Sequence, residues 1–184
     1  QRQMIIPSID LSGGKAVQLE QGRKKILERE NPLELAEEFG RFGEVAVVDL
    51  DAALGRGAND PVVRELCRLA ACRVGGGIRS DKRAAEVLSW GAEKIIIGTM
   101  AFAGGTVNRA FLDGLRSQIG RDRLIIALDT LGGRVVTEGW RKTTGLRWQD
   151  VIRDLEPYAS EFLFTTVDKE GLMRGPDVKS FAAL

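Results

Sequence analysis

Short apolar runs alternate with amphipathic stretches along all 184 residues, and one motif recurs at a fixed distance. The alternation predicts an α/β protein whose parallel sheet is covered by helices, because strands buried on both faces read as near-continuous apolar runs. The recurrence narrows this to a (β/α)8 (TIM) barrel built from two half-barrel repeats. Ile5-Ile6-Pro7-Ser8-Ile9-Asp10-Leu11-Ser12-Gly13-Gly14-Lys15-Ala16-Val17 matches Leu124-Ile125-Ile126-Ala127-Leu128-Asp129-Thr130-Leu131-Gly132-Gly133-Arg134-Val135-Val136, 119 positions later. The same spacing carries Val48-Asp49-Leu50-Asp51 onto Val167-Asp168-Lys169-Glu170 without a gap. Two matches in one register mark a duplication of four strand-helix units.

The elements follow in order. Met4–Ile9 reads as the first strand, and Ala16–Leu19 as a further extended segment. Residues 32–39 are helical, with Asn31 as cap and Pro32 in the first turn. Val45–Val48 is the second strand of the alternation. Residues 60–70 form a helix with Asp60 as cap and Pro61 behind it. Cys72–Val74 leads into Gly75-Gly76-Gly77. A helix over 81–90 is opened by Ser80 or Asp81, and Lys94–Ile97 ends at Gly98-Thr99. Helix 106–118, strand Leu124–Leu128, helix 147–157 and strand Glu161–Thr165 follow, and Pro176 opens a last helix. Two repeats starting near Met4 end near about residue 241, close to the ~250 residues typical of such barrels. The sequence is therefore expected to hold one incomplete barrel domain over 1–184, truncated after the sixth unit. Its first repeat covers about 4–122 and its second runs from about 123. Met4 reads as an original start, with residues 1–3 as the edge of a fragment.

Composition restricts the chemistry. The chain has no histidine, which removes imidazole bases, His-activated nucleophiles and His-ligated metal sites. Cys67 and Cys72 lack the spacing of a redox or zinc motif and read as two reduced thiols. The 27 basic and 26 acidic residues are interspersed, so no field favours nucleic acid. No apolar run reaches the roughly 20 residues of a membrane span, and no signal peptide is evident. These features fit a cytoplasmic protein.

Reacting groups of a (β/α)8 barrel sit at the C-terminal ends of its strands. Asp10 and Asp129 end strands one and five, which face each other across such a barrel. Two carboxylates there suit acid–base work if their environments hold one protonated and the other ionised. A strand-end Asp also serves as a simple loop cap; its repetition within D-x-x-G-G-[KR]-x-V favours the chemical role. Gly75-Gly76-Gly77 and Gly98-Thr99 offer backbone N–H groups suited to phosphate, or tight turns that need glycine. Arg79 serves an anion or a helix surface. Trp140 reads as a loop aromatic that stacks on a flat ring or packs its own loop. Thr165, at the end of strand six, bonds substrate or simply favours the strand. Lys15, Arg23 and Lys24 read as surface charge near the mouth.

Together, Ile6–Leu11, Val48–Asp51, Val74–Ser80, Ile97–Thr99 and Leu128–Val135 resemble the phosphoribosylformimino-aminoimidazole-carboxamide ribotide isomerase family of histidine biosynthesis. Gly139-Trp140 and Thr165–Gly171 resemble its later loops. The resemblance implies a barrel without metal or organic cofactor that performs an Amadori rearrangement of an aminoaldose to an aminoketose. It implies Asp10 as general base and Asp129 as general acid. Gly76, Gly77, Arg79, Gly98 and Thr99 would form the first of two phosphate sites. Trp140 would cover the substrate, and Thr165 would assist the acid. The implied partner is a small phosphorylated substrate, and the implied complete protein is a monomer. Glu170 stands where the family usually has Asp. Counterparts of Gly75–Gly77 fall at 194–196 and that of Gly98 at 217, so the 184-residue chain alone is expected to be inactive. Three other readings stay open. They are the sister cyclase, whose Lys-Gly-Val-Asn-Phe stretch is absent here; an isomerase that also takes phosphoribosylanthranilate; and a non-catalytic phosphate-binding partial barrel.

Overall fold

A computed structural model describes residues 5–20 and 24–169. It has the expected α/β character, with parallel strands separated by helices. The chain divides into two compact units. Among the described residues, one holds 5–18 and 27–97, and the other holds 19–20, 24–26 and 98–169.

In the first unit, β1 (Ser8–Ser12) pairs antiparallel with β2 (Lys15–Glu20) and parallel with β4 (Val45–Asp49). The strand β3 (Lys24–Arg29) lies between β2 and α1 (Pro32–Gly40) in sequence. Strand β4 pairs with β5 (Cys72–Gly75), and β5 with β6 (Lys94–Ile97), all parallel. The helices are α1, the short α2 (Leu50–Leu54), α3 (Asp60–Leu69) and α4 (Asp81–Ser89). Helix α1 starts as its residue types dictate: Asn31 accepts from the Leu33 N–H at 3.1 Å, with Pro32 inside the first turn. The core holds Ile9 and Leu11 of β1, Val45 and Val47 of β4, and Ile95 and Ile97 of β6. Leu66 of α3 and Ala84 of α4 close over them, both fully buried. Each such large aliphatic side chain contributes about 1.5–3 kcal/mol of burial.

The second unit begins with a 3-10 turn (Thr99–Ala101) and a small hairpin, β7 (Phe102–Ala103) with β8 (Thr106–Val107). Then come α5 (Arg109–Ile119), β9 (Leu124–Leu131), β10 (Arg134–Thr137), β11 (Lys142–Arg147), α6 (Trp148–Leu155) and β12 (Glu161–Thr166). Strand β12 runs parallel to β9, with Thr165 opposite Asp129; β10 turns back antiparallel from β9 and pairs with β11. Leu112, Leu115, Leu124, Ile126, Leu128 and Leu155 form the buried core, and Trp148 meets Phe164 edge-on at 4.9 Å.

The duplicated motif adopts the same shape in both places. Gly13 and Gly14 have φ of 59° and 78°, and Gly132 and Gly133 have 56° and 76°. Each glycine pair makes a two-residue hairpin turn, closing Ser12 onto Lys15 and Leu131 onto Arg134.

Several boundaries differ from expectation. The first strand runs Ser8–Ser12 rather than Met4–Ile9: Pro7 has no N–H to give, and the hairpin with β2 draws Leu11 and Ser12 into the ladder. The cap of α3 is Asn59, not Asp60, which already lies in the first turn. Helix α5 starts at Arg109 instead of residue 106, because Thr106-Val107 is used in β8 and Asn108 accepts from the Phe111 N–H. The strands β3, β7, β8, β10 and β11 and the helix α2 were not anticipated as such. Arg23, Glu170 and the helix opened by Pro176 lie outside the described residues. Cys67 and Cys72 are both free and buried, and the hydrogen bond with Cys67, helped by burial, pushes the Cys72 thiol up, so it stays protonated.

Candidate functional site

Asp129 lies near the end of β9, half-buried, on the same strand pair as Thr165. The Trp140 indole N–H donates to its Oδ2 at 3.0 Å, and the Thr165 hydroxyl bonds the same carboxyl group. Burial pushes the Asp129 carboxyl above its ordinary value, and the Trp140 and Thr165 bonds offset this only in part. This cluster therefore holds a proton to higher pH than a free aspartate does. Three of the residues singled out in the sequence thus meet at one carboxyl group.

Trp140 reaches Asp129 from the turn between β10 and β11. Glu138, Gly139 and Trp140 all have left-handed backbones, with φ of 57°, 64° and 68°. Such angles suit glycine and are costly for Glu and Trp. The Glu138 N–H donates to the Thr99 hydroxyl oxygen at 2.9 Å, which ties the turn to the segment just after Gly98. A Cβ added at Gly98 would meet nothing within 4 Å.

In the first unit, Asp10 sits inside β1, half-buried, and Ser8 Oγ donates to its Oδ1 at 3.2 Å. The hairpin after it is clasped by polar groups. Asp51 accepts from the Gly13 N–H at 2.7 Å, Ser12 Oγ at 3.1 Å and Asn59 Nδ2 at 3.1 Å. Asn59 Oδ1 accepts from the Gly14 N–H at 2.8 Å. Asp49, buried at 3% exposure, accepts from Ala52 N–H, Asn59 N–H and Asn59 Nδ2. Burial pushes the Asp51 carboxyl up, but the Gly13, Asn59 and Ser12 hydrogen bonds with nearby Arg56 outweigh it and hold it below the usual range.

Gly76 and Gly77 are glycines for a packing reason. Their φ values are 99° and 68°, and a Cβ at Gly76 would lie 2.2 Å from the Asp49 carbonyl oxygen. At Gly77 it would lie 2.7 Å from the Ala52 Cβ. Arg79 donates to the Ala52 carbonyl at 3.0 Å and the Ala53 carbonyl at 2.7 Å, so its terminal nitrogens cap α2. Helix α4 begins four residues beyond Gly77, and Ser80 Oγ accepts from the Arg83 N–H there. Lys15 is engaged with Glu28 at 2.9 Å and Glu30 at 2.6 Å instead of standing free in solvent.

Sequence reasoning missed Asn59, which joins Asp49, Asp51 and Gly14, and Glu138, which anchors the Trp140 turn. The signal for Asn59 was present in Asn59-Asp60-Pro61, where the cap position falls one residue earlier than assigned. Nothing in the residue type of Glu138 announces its role, since its backbone does the work.

Comparison with known proteins places these features in context. The model of the family described as "Histidine biosynthesis protein" matches residues 4–184. A Methanocaldococcus jannaschii protein is 38% identical over 181 residues, covering 95% of this chain and 75% of the relative. A Methanococcus maripaludis protein is 36% identical over 184 residues, covering 96% and 76%. A Brevibacillus brevis protein is 34% identical over 189 residues, covering 98% and 74%. All three are named 1-(5-phosphoribosyl)-5-((5-phosphoribosylamino)methylideneamino) imidazole-4-carboxamide isomerase.

Proposed function

Because the chain belongs to the histidine biosynthesis protein family, we propose that it is an isomerase converting a bis-phosphorylated N-linked aminoaldose to the aminoketose. The observation that carries the reading is the Asp129 carboxyl group, pushed up by burial and held by Trp140 and Thr165. A general acid must keep its proton near the working pH, and this environment favours that. Protonated Asp129 gives its proton to the ribose ring oxygen as the C1–O bond breaks, and the glycosidic nitrogen, keeping its hydrogen, shares its lone pair with C1 to form a protonated imine. The Asp10 carboxylate then takes the proton from C2, and the C–H electron pair makes the C1–C2 double bond of an enolamine. Ketonisation follows: Asp129, now ionised, takes the enol O–H proton as the C2 carbonyl forms, and protonated Asp10 gives its proton to C1, so both return to their starting states. Neither carboxyl group is consumed.

The remaining assignments belong to the same proposal. The complete fold is a (β/α)8 barrel of two half-barrel repeats, and the substrate phosphate meets Gly76, Gly77, Gly98 and Thr99. Arg79 contributes positive charge near Gly76 and Gly77, while its terminal nitrogens donate to α2. Trp140 lies over the substrate. The partner is a small phosphorylated molecule of the cytoplasm, neither nucleic acid nor membrane. Among the described residues no helix is long and apolar enough to cross a membrane.

The test is turnover of the aminoaldose bisphosphate. The 184-residue chain alone is expected to give none, and the chain joined to a segment supplying the counterparts of Gly75–Gly77 and Gly98 is expected to give activity. In that active form, Asp10→Asn and Asp129→Asn each lower kcat by about 10²–10⁴, the range of general acid–base catalysis. Turnover by the unaided chain would refute the expected inactivity. Undiminished turnover in either variant would refute the acid–base assignment.

A further inference from the structure

Two bonds in the second unit form a chain with a functional consequence. The Trp140 indole N–H holds the Asp129 carboxylate at 3.0 Å. Trp140 is carried by a turn with three consecutive left-handed residues, two of which are not glycine. A turn of that kind persists only where its surroundings over-determine it. The Glu138 N–H to Thr99 Oγ1 bond, 2.9 Å long and spanning 39 positions, is a restraint on this turn from outside its own hairpin. Within the hairpin, Arg141 Nε donates to the Glu138 carbonyl at 2.9 Å and Lys142 pairs with Glu138 at 3.6 Å. Those contacts follow the turn wherever it goes, whereas Thr99 does not.

We propose that Thr99 is a positioning residue for the acid: its hydroxyl oxygen anchors the left-handed Glu138–Trp140 turn and so sets the Trp140 indole on Asp129. This rests on the reading of Asp129 as the acid, and it gives Thr99 a task separate from the phosphate contact. The hydroxyl oxygen that accepts from Glu138 keeps its own hydrogen to donate elsewhere, so the two tasks are compatible. Asp129 is held by two donors of different kinds. Thr165 is fixed by its place on β12, opposite Asp129 in the ladder. Trp140 is carried by its turn. Loss of the Thr99 anchor therefore separates the Trp140 contribution from the Thr165 contribution.

The experiment follows the indole N–H signals of the 184-residue protein by NMR. Trp140→Phe identifies the Trp140 signal, and the buried Trp148 signal reports whether the fold is intact. Thr99 is exposed, so the isosteric Thr99→Val removes the acceptor without disturbing the core. In Thr99→Val the protection of the Trp140 indole against solvent exchange falls by about fivefold or more, the factor one net hydrogen bond is worth. Its response to Asp129 titration fades with it, while Trp148 is unchanged. Thr99→Ser keeps the acceptor and restores both. If Thr99→Val also alters Trp148, Thr99→Ala against Thr99→Ser makes the same comparison. Wild-type Trp140 protection in the variants lacking the hydroxyl, or its loss in Thr99→Ser, would overturn the proposal. Neither result depends on turnover, so failure here and failure of the isomerase reading are separately visible.

Discussion

Replacing Asn59 with alanine removes three side-chain hydrogen bonds at once. Asn59 Nδ2 donates to Asp49 at 2.8 Å and to Asp51 at 3.1 Å, and Oδ1 accepts from the Gly14 N–H at 2.8 Å. Hydrogen bonds to charged groups contribute about 1.5–3 kcal/mol each, and a neutral one about 1 kcal/mol. The carboxylates keep other donors: Asp49 retains the N–H groups of Ala52 and Asn59, and Asp51 retains Gly13 and Ser12. Part of the loss is therefore recovered, and the expected destabilisation is about 3–5 kcal/mol. At roughly 2–4 °C per kcal/mol for a chain of this size, Tm falls by about 6–20 °C.

Urea titrations followed by far-UV circular dichroism measure this effect, read as a shift of midpoint at unchanged slope. The pH dependence gives a second signature. The Asp51 carboxyl is held below the ordinary aspartate value of 3.8 in the folded chain, so its contribution to stability is present above that value and is lost as pH falls through the folded value. Asn59 is one cause of that depression, so the gap between wild type and Asn59→Ala narrows in acid. A loss under about 1 kcal/mol at pH 7, or one identical at pH 7 and in strong acid, would refute the idea that Asn59 clasps the hairpin behind Asp10.

Other consequences follow from the same geometry. Gly76→Ala would drive a Cβ to 2.2 Å from the Asp49 carbonyl oxygen at a φ of 99°, so it costs about 3 kcal/mol or more. Gly98→Ala, which meets nothing within 4 Å, changes stability by less than about 1 kcal/mol, and urea midpoints of the two variants check the contrast. Asp129→Asn should show the opposite pH trend to the Asp51 network. The folded Asp129 is raised above 3.8, so wild type loses stability relative to the variant as pH rises from that value through the folded one, and the gap is constant beyond. Paired unfolding curves from acid to neutral pH measure it, and a gap moving the other way would count against the raised value.

The parallel strands were readable because β6 and β9 carry unbroken apolar runs, Ile95–Ile97 and Leu124–Leu128, buried almost throughout. Helix α1 was readable because Asn31 and Pro32 act locally. The arms β10 and β11 were harder to see. Lys142–Arg147 is mostly polar and its strand character comes from pairing with β10, not from its own pattern. Duplication brought out Asp10 and Asp129, since each precedes the same Gly-Gly turn. Their surroundings were not readable: the Trp140 contact depends on left-handed backbones at Glu138 and Trp140, which those residue types do not signal. Likewise the triglycine was noticed as a phosphate cradle or a tight turn, while its demand for glycine comes from the backbone of Asp49 and from Ala52, near in space but distant in sequence.

Burial makes the Asp129 carboxyl group hold its proton above the ordinary aspartate value. Carbon-13 NMR titration of that side chain in the folded protein, assigned with Asp129→Asn, measures this directly. The expected midpoint lies above the ordinary aspartate value of 3.8, with Trp140 and Thr165 still bonded to the carboxyl group. A midpoint at or below 3.8 would contradict it, because a carboxyl group ionised so readily has no proton to give at neutral pH.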